Sequence, residues 1–203
     1  MVKEICIYVE GGGDSNKTWT AIRRGFSIFL KDLREIADKK KIGFHIIPCG
    51  PRGAAKNDFF TALESNPNAF NILLVDSESP VDKEPWKHLL DQDGWKLDEI
   101  HNEQCHLMVQ LMESWLIADI DALKRFYGKD FKVKVIPRNP HVEEIPKHDV
   151  ETSLKKATGK TQKGEYHKIH HGPKILELLD VSKVRNAAPH CNRLFETLSE
   201  KMS

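Results

Sequence analysis

The sequence has little that would place it in a membrane or hold it together covalently. No apolar run approaches the roughly 18 residues that a helical membrane span needs, so membrane insertion is not expected. The N-terminus enters an alternating strand pattern at once, without a basic segment followed by an apolar stretch, and a cytoplasmic location without a secretory leader is expected. Cysteine is scarce: Cys6, Cys49, Cys105 and Cys191 are far apart, show no C-x-x-C spacing, and three stand in or beside strand-like apolar runs. Buried reduced thiols are therefore expected rather than a disulfide framework. A charge excess is missing too. Lys+Arg 31 against Asp+Glu 30 leaves a formal net charge of +1, which nominates no partner. Nor is there a Pro/Gly/Ser-rich linker, an internal repeat or a low-complexity tract, so the 203 residues read as one domain. Within it, 1–145 forms the core and 146–203 a basic, mainly helical C-terminal extension.

What is there is alternation of strand and helix. Val2 to Val9 reads as a strand running into Glu10 and three glycines. From Lys17 to Lys40, Trp19, Ile22, Phe26, Phe29, Leu30, Leu33 and Ile36 recur at helical spacing, predicting one long amphipathic helix. Gly43 to Pro48 predicts a second strand and Ala54 to Glu64 a second helix. Phe70 to Val75 is nearly continuously apolar, as for a strand buried on both faces of a parallel sheet. A short helix is expected near 85–93, a fourth strand over Cys105 to Gln110, and a helix from Met112 to Tyr127 stopped by Gly128. Further helices are expected near 149–157, 172–179, opened by Gly172-Pro173, and 189–201. The fold class is α/β: a Rossmann-like, mostly parallel sheet flanked by helices, with a helical C-terminal extension.

Open α/β sheets deliver the residues at their strand ends into the ligand crevice, which singles out Glu10. Asp76 and Glu78, two apart at the end of the most buried strand, project together if the backbone stays extended. Clustered carboxylates repel unless a cation or proton intervenes, so Glu10, Asp76 and Glu78 together predict a Mg²⁺ or Mn²⁺ site. An oxygen-only ligand set argues against zinc. Such a metal orients phosphate and activates water, making phosphoryl transfer the natural reaction class. Glu113 is the best additional ligand, with Gln110 and Asp119 flanking the same helix start, although a carboxylate there also favours a helix N-terminus. The loop Gly11, Gly12, Gly13, Asp14 lets backbone N–H groups approach a phosphate, but lacks the Lys-Ser/Thr of a P-loop. Arg52, between glycines, and Arg23-Arg24 reach for phosphate or simply lie on helix surfaces. Lys155, Lys156, Lys160, Lys163, Lys168 and Lys174, interleaved with His167, His170 and His171, form either a strip for nucleic-acid phosphates or a solvated basic face. The histidines lack the partners of a zinc site. Trp115 belongs to the core, leaving Trp86 and Trp95 as candidates for base stacking.

VEGGGD at 9–14, LLVDSE at 73–78 and MESWLIAD at 112–119 resemble the TOPRIM fold of topoisomerases, primases and OLD-type nucleases. More narrowly, they are similar to a prokaryotic TOPRIM-like family that accompanies AAA/ABC-type ATPases in phage-defence loci. In that pattern a glutamate follows the first strand and an Asp-x-Asp a later one, matching Glu10 and Asp76-Ser77-Glu78, with Glu78 in place of the second aspartate. The resemblance implies a Mg²⁺- or Mn²⁺-dependent nuclease acting on DNA or RNA. Glu10 would serve as acid/base or ligand, Asp76 and Glu78 would hold metal, Glu113 would assist, and an ATPase would be the protein partner. Two other readings are a catalytically silent module that binds nucleic acid or the ATPase, and a small-molecule phosphotransferase or phosphohydrolase using the same crevice.

Overall fold

A computed structural model describes residues 2–13, 15–96 and 99–203, and only the backbone of 99–101. Strands β1 (Glu4–Val9), β2 (Gly43–Pro48), β3 (Phe70–Asp76) and β4 (Cys105–Met108) pair in parallel in the order β2-β1-β3-β4. β3 is buried along its whole length, Asn71 included, as expected of a nearly continuous apolar run in a strand covered on both faces. Strand residues alternate between two hydrophobic layers. Ile5, Ile7, Ile72 and Leu74 face α1 (Asn16–Phe29) and α2 (Lys31–Lys39), while Tyr8, Leu73, Val75 and Leu107 face α3 (Arg52–Ser65) and α4 (Pro85–Asp93). The first layer is thickened by α5 (Met112–Ala118), α6 (Ile120–Tyr127), α7 (Lys147–Thr158), α8 (Lys168–Leu176), α9 (Val181–Ala187) and α10 (Pro189–Lys201). The architecture is therefore α/β, an all-parallel sheet flanked by helices. Among the described residues no helix is long and apolar enough to cross a membrane. All four cysteines are buried and free.

The chain leaves β1 for β2 on one side and then returns to place β3 on the other. The strand order thus reverses between β1 and β3, and the crevice beyond their C-terminal ends is where such sheets bind ligands. Glu10 and Asp76 stand at that point. α8 crosses α1 so closely that a Cβ on Gly25 would lie 2.8 Å from the Pro173 carbonyl oxygen; this contact seats the C-terminal segment over the crevice.

Several helix boundaries differ from those the periodicity predicts. The helix expected over 17–40 is two, kinked at Leu30 (φ −96°, ψ 20°), and Ile36 is 38% exposed although its spacing points it inward. The helix expected over 112–127 breaks at Asp119, whose buried carboxylate caps Asp121 and Ala122 and pairs with Lys183 at 2.9 Å. That role removes Asp119 from the candidate ligands. Pro173 sits inside α8, past its first turn, rather than opening it, and withholds one backbone donor from the helix. α9 was not anticipated. Trp86 and Trp95 are both buried, and Arg52 and Lys56 lie over the Trp95 ring at 5.0 and 5.5 Å, so neither tryptophan is free for base stacking.

His106, on β4, is fully buried. Arg193 donates to its Nδ1 at 3.2 Å, which leaves the proton on Nε2, donated to the Glu103 carbonyl at 3.1 Å. Burial, helped by the Arg193 charge, pulls this imidazole down to about 3. A depressed folded pKa means stability present above the unfolded value of roughly 6.5 and lost as pH falls toward 3. Glu10 and Glu113, both raised, act in the opposite sense at acid pH, so the effect is read by difference. In urea unfolding, the stability gap between wild type and His106→Gln is expected to narrow by about 2 kcal/mol from pH 7.5 to pH 5.

Candidate metal centre

Glu10 is placed by the end of β1. Its N–H still donates to the Leu74 carbonyl at 2.9 Å, and its Oε2 accepts the Asp76 N–H at 3.1 Å, so the two acidic strand ends are bonded to each other. The next residues turn away through Gly11, Gly12 and Gly13, at φ 119°, 98° and 59°, a region that side chains rarely adopt. An antiparallel bridge fixes this loop: Gly11 N–H donates to Gly50 at 2.7 Å and Gly50 N–H returns to Gly11 at 3.1 Å. The Gly11 amide expected to meet a phosphate is thus already engaged. Asp14 lies outside the described residues.

Asp76 is 1% exposed and fully bonded. Its Oδ1 accepts the Met112 N–H at 2.8 Å, its Oδ2 accepts the Lys168 ammonium at 2.8 Å, and its carbonyl accepts an Arg52 N–H. Glu78 reaches the same place by a route that an extended backbone would not give. The Ser77 and Glu78 amides continue the ladder toward the β4 side, onto Met108 and Gln110 carbonyls at 3.0 and 2.8 Å, and Glu78 then adopts φ +66°. A left-handed glutamate is uncommon, and the two amide bonds to Met108 and Gln110 lead the backbone into it. Lys147 pairs with its carboxylate.

Carboxylate oxygens of Glu10, Asp76 and Glu78 all lie within 4.8 Å of one another. Burial, and then the Asp76 charge, push the Glu10 carboxyl up to about 7, the signature of acids crowded beyond what water can relieve. Glu113, on the first turn of α5, is 1% exposed. Its Oε1 accepts the Tyr166 hydroxyl at 2.7 Å, while its Oε2 makes no hydrogen bond among the described residues and lies 3.7 Å from Lys168. The side chain therefore faces Asp76's lysine. Burial raises its pKa as well. An oxygen-only cluster with one unsatisfied buried oxygen beside it fits a hard divalent cation such as Mg²⁺ or Mn²⁺. The protein's own cations are close by. Burial works against the Lys168 charge, but Asp76, Glu113 and Glu10 outweigh it and hold the ammonium well above its ordinary range.

Over residues 9–199 the sequence matches the family described as a domain of unknown function, DUF4276. The chain belongs to this family. No curated protein and no solved structure matches it.

The DUF4276 span takes in every residue of the cluster, from Glu10 to Lys168. Of the other residues singled out from sequence, Arg52 reaches the rim. Its guanidinium is 3.6 Å from Glu10 and forked onto Asp93, with N–O distances of 2.7 and 3.3 Å. Lys168, expected on a surface strip, belongs to the centre itself. Lys160 lies in the turn after α7, and His170 is exposed, stacked on His167 at 4.4 Å; neither touches the carboxylates. His171 packs beside Phe126 and accepts the Tyr127 hydroxyl at 3.0 Å on its Nδ1. Lys147 and Tyr166 were not foreseen as members of the site.

Proposed function

We propose that this DUF4276 protein is a Mg²⁺- or Mn²⁺-dependent, TOPRIM-type nuclease that hydrolyses nucleic-acid phosphodiesters. The observation that carries the reading is the convergence of Glu10, Asp76 and Glu78 at the strand-order reversal, with oxygens within 4.8 Å. These three would hold the cation, with Glu113 beside them. A cation in that position would orient a phosphate, offset its growing negative charge and make a bound water nucleophilic. Glu10, held at about 7, exchanges a proton near neutral pH and suits general acid/base work when not ligating. The Lys168 ammonium, anchored between Asp76 and Glu113, offers positive charge to the phosphate oxygens. Resemblance to defence-associated TOPRIM-like proteins supports an ATPase as protein partner and a role as the effector that cuts.

The test is cleavage of labelled DNA and RNA with Mg²⁺ or Mn²⁺, with and without a candidate ATPase. Glu10→Gln and Asp76→Asn are each expected to lower the rate by at least about a hundredfold. A second reading, a silent module that binds nucleic acid or the ATPase, is favoured by one observation: Lys168 and Lys147 already neutralise Asp76 and Glu78. Retention of nucleic acid without cutting, unchanged in both variants, would select it.

A further inference from the structure

Beside the carboxylates lies a pocket of about 210 Å³. Glu10, Asp76 and Lys168 form its polar side, and Ile22, Met112 and Ile169 its apolar wall, closed by the Gly11–Gly13 loop and Gly50-Pro51. The glycines make the space. A Cβ on Gly11 would lie 3.6 Å from Ile22 Cδ1, and one on Gly13 would lie 3.2 Å from Ile169 Cδ1, so side chains there would project toward two of the pocket's own walls. The Gly11 amide is already engaged by Gly50, and the aliphatic sides of the hollow offer a phosphate nothing beyond what the lysine and the metal ligands supply.

Resting on the nuclease reading above, we infer that this pocket receives the base of an unpaired nucleotide next to the scissile phosphate, making the substrate single-stranded nucleic acid. What adjoins a phosphate in such a polymer is a nucleoside, and its flat, largely apolar face matches the wall of Ile22, Met112 and Ile169. The volume is below that of sites for drug-sized ligands and accepts one ring system, not a stacked pair. A base inside an intact duplex cannot enter without being extruded at the cost of pairing and stacking. Ile169 follows Lys168 on α8, so one helix turn both presents the ammonium to the carboxylates and walls the base pocket.

The experiment uses the full chain and one oligonucleotide carrying 2-aminopurine, free or annealed to its complement, with Mg²⁺. Cutting of the free strand is expected to exceed that of the duplex by about tenfold or more, and binding to change the 2-aminopurine fluorescence. Ile169→Trp, which fills the pocket, is expected to lose both by about tenfold, while Mg²⁺ binding and the circular dichroism spectrum stay as in wild type. Equal cutting of duplex and single strand, or a folded Ile169→Trp that behaves as wild type, overturns the inference and leaves the nuclease reading standing. A fluorescence change that Ile169→Trp abolishes, with no cutting of any strand either with or without the candidate ATPase, upholds the pocket and sinks the nuclease reading; absence of both overturns both.

Discussion

Asp76→Ala/Glu78→Ala is expected to bind Mg²⁺ at least about a hundredfold more weakly than wild type in calorimetric titrations of metal-free protein at near-physiological ionic strength. Two of the three carboxylates whose oxygens fall within 4.8 Å are then gone, and Glu10 alone offers too little charge to strip water from a strongly hydrated ion. Asp76→Asn/Glu78→Gln, which keeps the oxygen that accepts the Met112 N–H, is the control for folding and should lose metal equally. The wild-type affinity carries a pH dependence. Metal needs Glu10 deprotonated, and its carboxyl sits at about 7, so affinity is expected to rise about tenfold from pH 6 to pH 8, flattening above 7. Glu10→Gln should weaken binding and flatten that profile. In the metal-free protein the sign reverses: a carboxyl raised in the folded state binds its proton more tightly there, so its contribution to stability falls as pH rises from about 4.5 to 7. Binding unaffected by either double substitution would remove the central assignment.

Trp115→Ala is expected to cost about 3–5 kcal/mol in chemical unfolding, the range for emptying a buried aromatic site. Trp115 is completely buried, stacked on Phe29 with centroids 5.4 Å apart and edge-on to Phe26 at 6.4 Å. These contacts join α5 to α1 beneath the crevice. The same short helix supplies the Met112 N–H to Asp76 and carries Glu113, so the cavity should also loosen the metal site, lowering Mg²⁺ affinity without removing a ligand. Trp115→Phe should cost much less. It removes an indole N–H that finds no partner among the described residues, and that gain offsets part of the lost volume. A Trp115→Ala protein as stable as wild type would show that the α1–α5 contact contributes nothing to that layer of the core.

How much of this could be read in advance follows from distance along the chain. β3 was legible because a nearly continuous apolar run of that length reads as a buried strand in an α/β sequence, and its end located Asp76; Glu10 followed from the glycines after β1. The counter-cations were not legible. Lys168 lies 92 residues from Asp76 and Lys147 lies 69 from Glu78, and nothing local distinguishes a lysine folded back on a carboxylate from one in solvent. Tyr166 on Glu113 was hidden for the same reason. Glu78 was placed in the cluster on an extended backbone, whereas a left-handed residue puts it there. The breaks at Leu30 and Asp119 escaped because hydrophobic spacing continues across a kink; the Asp180 cap that opens α9 was a readable signal that went unused.

The counter-ions of the cluster come from late in the chain, and this sets the order in which the protein can finish folding. A growing chain offers its N-terminal elements first, so β1, β3 and α5 emerge with Glu10, Asp76 and Glu113 before α7 and α8 exist. Carboxylates cannot be enclosed without a partner charge, and until Lys147 and Lys168 arrive that edge of the sheet stays hydrated. The crevice closes only once α7 and α8 are in place. A chain ending before residue 147 would expose its acidic edge without Ile169 and the two ammonium groups, so the centre is acquired only after α8 has been made.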